Sequence, residues 1–84
     1  MTVRLFAAAR EAAGRARCTV EAADVAGALT EACRVLGPGF TEVLAGSRVW
    51  LNGDEPARGE ATPLADGDEL AVLPPVSGGS LPPG

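Results

Sequence analysis

Residues 24–38 read DVAGALTEACRVLGP, and this stretch decides the fold. Asp24 is suited to cap a helix N-terminus, because its carboxylate accepts from backbone N–H groups that the first turn leaves unpaired. Val25, Leu29, Cys33 and Leu36 then recur near helical spacing, Ala28 and Ala32 widen the stripe, and Glu31 and Arg34 fall outside it. Gly37-Pro38 is a strong stop. Gly27 weakens such a helix by roughly 0.5–1 kcal/mol relative to alanine, so tertiary packing must hold it. No partner helix is expected elsewhere in the chain. The apolar stripe must therefore lie on a sheet, which makes the class α+β.

Working outward, Thr2–Ala7 alternates, with Val3 and Leu5 on one face and Arg4 and Phe6 on the other, the pattern of a half-buried strand. Ala8–Gly14 reads as a loop or short turn. Ala16–Ala22 gives a second strand with Cys18 and Val20 on one side, close enough to the first to form an antiparallel hairpin. After the helix, Phe40–Ala45 reads as one short helical turn, and Arg48–Leu51 as a strand with Val49 and Leu51 inward. Asn52-Gly53 is a hairpin dipeptide. Glu55–Arg58 is a candidate edge strand blunted by Pro56. Asp66-Gly67-Asp68 makes another turn before the last strand, Glu69–Leu73, with Leu70 and Val72 inward. This order predicts a β-grasp (ubiquitin-like) roll: a four- to five-stranded mixed sheet with one main helix. The domain is expected over residues 1–76 and a flexible tail over 77–84.

The chain of 84 residues allows one modest core. Its net charge of −4, with seven arginines and no lysine, argues against nucleic acid as a partner. Arg15 and Arg17 alone are close in sequence, so acidic partners and anionic membranes are disfavoured and a basic groove on another protein is favoured. Cys18 and Cys33 fit no metal spacing or redox motif and read as small core residues in a reducing compartment, with a structural disulfide as the alternative. Charged residues interrupt the N-terminal apolar stretch, no run is long enough to span a bilayer, and the expected location is cytoplasmic. The chain has no histidine and no tyrosine, and neither cysteine has an evident activating partner. No catalytic residue, bound cofactor or metal is expected.

The tail has its own logic. Pro74 and Pro75 lack N–H donors and fix φ, so the last strand cannot continue and the chain is pushed off the sheet. Val76 offers one apolar anchor, and Ser77, Gly78 and Gly79 read either as a thin backbone wire able to enter another protein or as an ordinary disordered terminus. Strand parity turns Arg4 and Phe6, Arg48 and Trp50, and Ala71 and Leu73 to the outer face of the sheet. With the last strand between the first and third, Phe6, Trp50 and Leu73 form an apolar patch beside the tail, flanked by Arg4 and Arg48. The competing role for Trp50 is satellite core under a loop. Asp66, Asp68 and Glu69 stand near this face, either steering the protein toward basic grooves or simply solvating a turn.

The segments VRLFAAAREAAG (3–14), VWLNGD (49–54), PLADGDELAVLPPV (63–76) and SGG (77–79) resemble the molybdopterin synthase small subunit, within the ubiquitin-like family of MoaD and ThiS sulfur carriers. The resemblance implies a cycle in which an E1-like adenylyltransferase uses ATP to activate the terminal glycine carboxylate, here that of Gly79. A sulfur donor converts the adenylate to a thiocarboxylate, and the tail delivers sulfur inside the large synthase subunit to the cyclic pterin precursor of the molybdenum cofactor. It also implies that the outer face docks both partners, although Trp50 departs from the small residue usual at its place. Carriers for cysteine, thiamine or another sulfur-containing metabolite, and a β-grasp module that only binds partners, are the alternatives.

One departure matters chemically. Ser80-Leu81-Pro82-Pro83-Gly84 follow Gly79 and tie its carboxyl group into a peptide bond. A protease cutting after Gly79 would release it. The other readings are an appended remnant, loss of the carrier role, or Gly84 as the reactive end, though one glycine after two prolines is not a Gly-Gly tail.

Overall fold

The computed structural model describes residues 1–75. Four strands, β1 (Thr2–Leu5), β2 (Arg17–Thr19), β3 (Arg48–Leu51) and β4 (Glu69–Leu73), form one sheet in the order β2-β1-β4-β3. β1 runs parallel to β4, and the two outer pairings are antiparallel. This is the expected β-grasp arrangement, with the last strand in the middle of the sheet. Three helices cover one face: α1 (Ala7–Ala13), α2 (Val25–Leu36) and α3 (Pro38–Ala45).

The core forms where the alternating strands meet the stripe of α2. Val3 and Leu5, Leu70 and Val72, and Cys18 and Val20 are buried against Val25, Ala28, Leu29 and Ala32. Val49 and Leu51 pack on the same core from β3. Asp24 caps α2 as expected, accepting from the Gly27 N–H at 2.8 Å. Gly27 also explains itself here. A Cβ at that position would lie 3.1 Å from the capping oxygen and 3.2 Å from the Ala22 side chain, so the missing methyl lets the cap close in. Asn52 and Gly53 both have positive φ, 52° and 90°, in a two-residue turn of the type that suits strand twist.

Three expectations are corrected. Ala8–Gly14 is not a loop but α1, an alanine-rich helix closed by Gly14 in the left-handed conformation. Alanine has the highest helix propensity, and Ala9 is fully buried as α1 packs on α3. Phe40–Ala45 belongs to an eight-residue helix that Pro38 opens at its first position, where a missing N–H costs nothing. The main helix therefore does have helical neighbours, and Phe40, fully buried, joins α3 to the core. Finally, Glu55–Arg58 is not a strand. The Leu51–Asp54 bridge closes the turn, and the chain moves on through turns to a 3₁₀ segment at Gly59–Ala61, leaving four strands among the described residues. Pro56 cannot donate to a ladder.

The ends of the first strands and helices are tied by backbone bonds rather than by longer ladders. β2 is only three residues long, yet Val20 N–H donates to the Met1 carbonyl and the Met1 ammonium donates back to the Val20 carbonyl at 2.9 Å. Thr62, the one buried polar residue among the described residues, accepts from Arg58 N–H through its hydroxyl at 2.7 Å, while its carbonyl accepts from Val25 N–H. This anchors the long connection to the start of α2.

Candidate functional site

Because β1 and β4 are parallel, their C-terminal ends lie at one end of the sheet. β4 stops at Leu73, followed by half-buried Pro74 and exposed Pro75 outside regular structure. Val76, Ser77, Gly78, Gly79 and residues 80–84 lie outside the described residues, as does the division between domain and tail. The site described is therefore the platform from which that segment leaves.

Register sets the platform. Ala71 stands between Arg4 on β1 and Trp50 on β3, and Leu73 faces Arg48 one step further along. Phe6 lies just beyond β1 but keeps an extended conformation, with φ −123° and ψ 152°, and its N–H donates to the Val72 carbonyl at 3.3 Å. Strand parity thus persists for one residue past the strand and carries Phe6 to the outer face at the level of Leu73. Phe6, Trp50 and Leu73 are each half-buried, and none packs on the main core. The patch is thus shallower than three fully exposed side chains. Trp50 lies on the outer face instead of serving as satellite core, with small Ala71 beside it.

Charged side chains partly cover this surface. The Arg4 guanidinium sits 5.4 Å from the centre of the Phe6 ring, within cation–π range, and 3.8 Å from Glu69. Arg48 lies 3.8 Å from Glu55. Both ion pairs are long and well exposed, so they constrain their arginines little.

Of the three acidic residues expected near this face, Glu69 is on it, 3.8 Å from Arg4, while the acidic turn lies at the end of β4 away from the tail. Asp66 and Asp68 precede β4, whereas the tail leaves from its other end, about 13 Å away along a five-residue strand. Asp68 acts as a fastener. It accepts from Ala65 N–H at 2.8 Å and from the Asn52 amide at 3.1 Å, and these bonds, the backbone one foremost, hold its carboxyl below the usual aspartate range. The Asn52 oxygen in turn accepts from Glu69 N–H at 3.0 Å, so one network clips the β3 turn to the start of β4.

Residue-by-residue reading missed a further grouping. Arg4 and Arg17 are directly opposed across the β1–β2 ladder, and Arg10 on α1 joins them around a depression of about 210 Å³ lined also by Leu5, Phe6 and Ala16. The signal was present in the hairpin register, but the third arginine arrives only because residues 7–13 form a helix. Elsewhere, Cys18 is buried and Cys33 half-buried, both as free thiols. Burial pushes the Cys18 thiol up, partly offset by Arg15. Among the described residues no group of His, Cys, Asp and Glu is arranged to hold a metal ion, and no helix is long and apolar enough to cross a membrane.

Comparison with known proteins agrees with this geometry. The sequence model of the ThiS family matches residues 3–79. No curated protein sequence matches. Among solved structures, small archaeal modifier protein 1 from Haloferax volcanii is similar at 34% identity and TM-score 0.76, over 93% of this chain and 97% of that one. The protein of the same name from Methanosarcina acetivorans gives 30% identity and TM-score 0.83, over 93% and 94%. A chain from the complex of subunits 1 and 2 of the molybdopterin-converting factor of Helicobacter pylori gives 29% identity and TM-score 0.68, over 93% and 96%.

Proposed function

This chain belongs to the ThiS family of ubiquitin-like sulfur carriers, and on that premise we propose that its working group is the carboxylate of Gly79. The observation that carries this reading is the extent of the family match, which runs through the whole β-grasp domain and ends on Gly79, leaving Ser80–Gly84 outside it. The platform supports it, because the chain leaves the middle of the sheet beside an apolar face with two prolines to stop the strand.

The chemistry requires a free carboxylate, so a protease first removes residues 80–84. An E1-like enzyme then joins the Gly79 carboxylate to AMP from ATP, releasing pyrophosphate. A sulfur donor displaces AMP and leaves a thiocarboxylate. Transfer of that sulfur to the acceptor, with water restoring the carboxylate, completes the cycle. The similarity to a molybdopterin-converting factor subunit favours the molybdenum cofactor precursor as acceptor and a large synthase subunit as second partner. The use of ATP in that activation favours the cytoplasm as its location, and the cycle as proposed calls for no cofactor bound to the chain itself.

Intact mass spectrometry tests this directly. A chain ending at Gly79, given an E1-like enzyme, ATP and a sulfur donor, is expected to gain the mass of one sulfur replacing one oxygen. The chain ending at Gly84 is expected to gain nothing until it is shortened. No gain at Gly79 with partners that load another carrier overturns the proposal.

The likeness to two archaeal modifier proteins favours a second reading from the same activated carbonyl. An amine on another protein would displace AMP and form an amide. The chain has no lysine, so it would be attached singly rather than in lysine-linked chains. Conjugates of higher mass that resist thiol treatment would identify that role.

A further inference from the structure

The net charge of −4 conceals a local charge of the opposite sign. Arg4 and Arg17 are a directly opposed cross-strand pair, an arrangement that is destabilising when the charges are alike. Arg10 adds a third guanidinium at the rim of the same depression. Among the described residues no carboxylate lies within 4.0 Å of Arg10 or Arg17, and the one near Arg4, on Glu69, is at 3.8 Å, well beyond a tight charge-assisted bond. Three exposed guanidiniums therefore surround about 210 Å³ of open space with little internal compensation. Nothing in the β-grasp core requires this: all three side chains lie outside it.

We propose that Arg4, Arg10 and Arg17 form a receptor for carboxylate side chains of the protein that docks against the tail-exit end of the sheet. Location argues for a protein. The depression is lined by Leu5 and Phe6, at the C-terminal end of β1, so it is continuous with the patch of Phe6 and Leu73 beside the departing chain. An apolar centre bordered by charged groups is the anatomy of a protein interface. Three arginines on an acidic chain are too few to hold a nucleic acid backbone. Guanidinium forks match carboxylates in bidentate geometry, so a short acidic segment of the partner is the fitting complement. This reverses, for this end of the molecule, the expectation that the partner surface is basic. The carrier reading enters only in naming what docks there. The arginine site stands on its own geometry.

The test uses the 84-residue protein labelled for arginine Nε–H NMR, titrated at low salt with a tetraglutamate peptide and, separately, with inorganic phosphate. The peptide is expected to shift the Arg4, Arg10 and Arg17 signals along one saturating curve while Arg34 and Arg58 stay in place. Arg17→Gln, on an exposed strand position, is expected to fold normally and weaken the apparent affinity by roughly fivefold, the scale of one exposed charge contact. Saturation by phosphate with no response to the peptide would make this a free-anion site and overturn the proposal. So would equal, unsaturated shifts of all seven arginines. Sulfur loading measured on the same chain ending at Gly79 separates the two readings. Loading without a peptide response removes only the arginine site, and a peptide response without loading supports the site while removing the carrier role.

Discussion

Ala7 opens α1 with φ at +50°, a region that costs an L-residue with a Cβ free energy. The chain needs this conformation to leave β1, send Phe6 to the outer face and begin a helix on the other. Alanine, with the smallest side chain that carries a Cβ, tolerates it, whereas a β-branched residue would not. Ala7→Val is accordingly expected to lower stability by about 1–2 kcal/mol in urea unfolding, and Ala7→Gly to leave it equal or higher. A valine variant as stable as the parent would show that the turn relaxes. Asp68 offers a second residue-scale test. Its carboxyl is held below the ordinary aspartate value, so its contribution to stability is fully present above about pH 4 and is lost as pH falls through the lowered folded value. The stability of Asp68→Asn should fall less steeply with acidification through that window than that of the parent. Asp24 and the Asn52-Gly53 turn were legible from sequence because each residue type is selected by the local bond or dihedral it supplies. Ala7 was not, since alanine gives no sign of positive φ.

At the scale of elements, what sequence patterns conveyed depended on how each element buries itself. α2 has a stripe of larger apolar residues over twelve positions, and the alternation in β1 and β4 points inward as expected. α1 hides its contact in alanine. Ala9 is fully buried, but one small buried side chain in seven residues leaves no periodic signal. α3 was underestimated for a related reason: Gly37-Pro38 ends one helix and starts the next, and a pattern that stops a helix does not reveal that another begins. The β1–β2 ladder carries a prediction of its own. Replacing Arg17 by threonine removes the like-charge opposition to Arg4 and introduces a residue suited to strands. Arg17→Thr should raise stability by about 0.2–1 kcal/mol, more at low salt than at high salt. A loss of stability would mean that the guanidinium stem contributes packing that outweighs the repulsion. A gain would show that the parent sequence keeps a charge its fold does not need, as expected when the charge serves binding.

For the whole molecule, the central position of β4 separates two kinds of surface. Its first residue joins the hydrogen-bonded acidic turn, while its last stands in the apolar patch at the tail exit. Polar fastening at one end leaves the other free to be exposed without loosening the core. The same separation predicts that the outer-face residues can be altered without unfolding. Leu73 is only half-buried and lies on the face away from Val72 and Leu70, which hold the core. A charge there should be tolerated by the domain but not by a desolvated interface. Leu73→Arg is therefore expected to change unfolding stability by less than about 1 kcal/mol. Its affinity for an activating enzyme or large synthase subunit, measured by calorimetric titration, should fall at least tenfold, the equivalent of about 1.4 kcal/mol. Phe6→Ala should weaken the same binding while retaining the fold. Its additional loss of the Arg4–ring contact makes it the more sensitive probe of how the apolar patch and the arginine cluster act together. If Leu73→Arg binds as tightly as the parent while Arg17→Gln does not, the docking centre lies over the β1–β2 edge rather than over β4. Parental affinity in all three variants would place the interface off this face altogether.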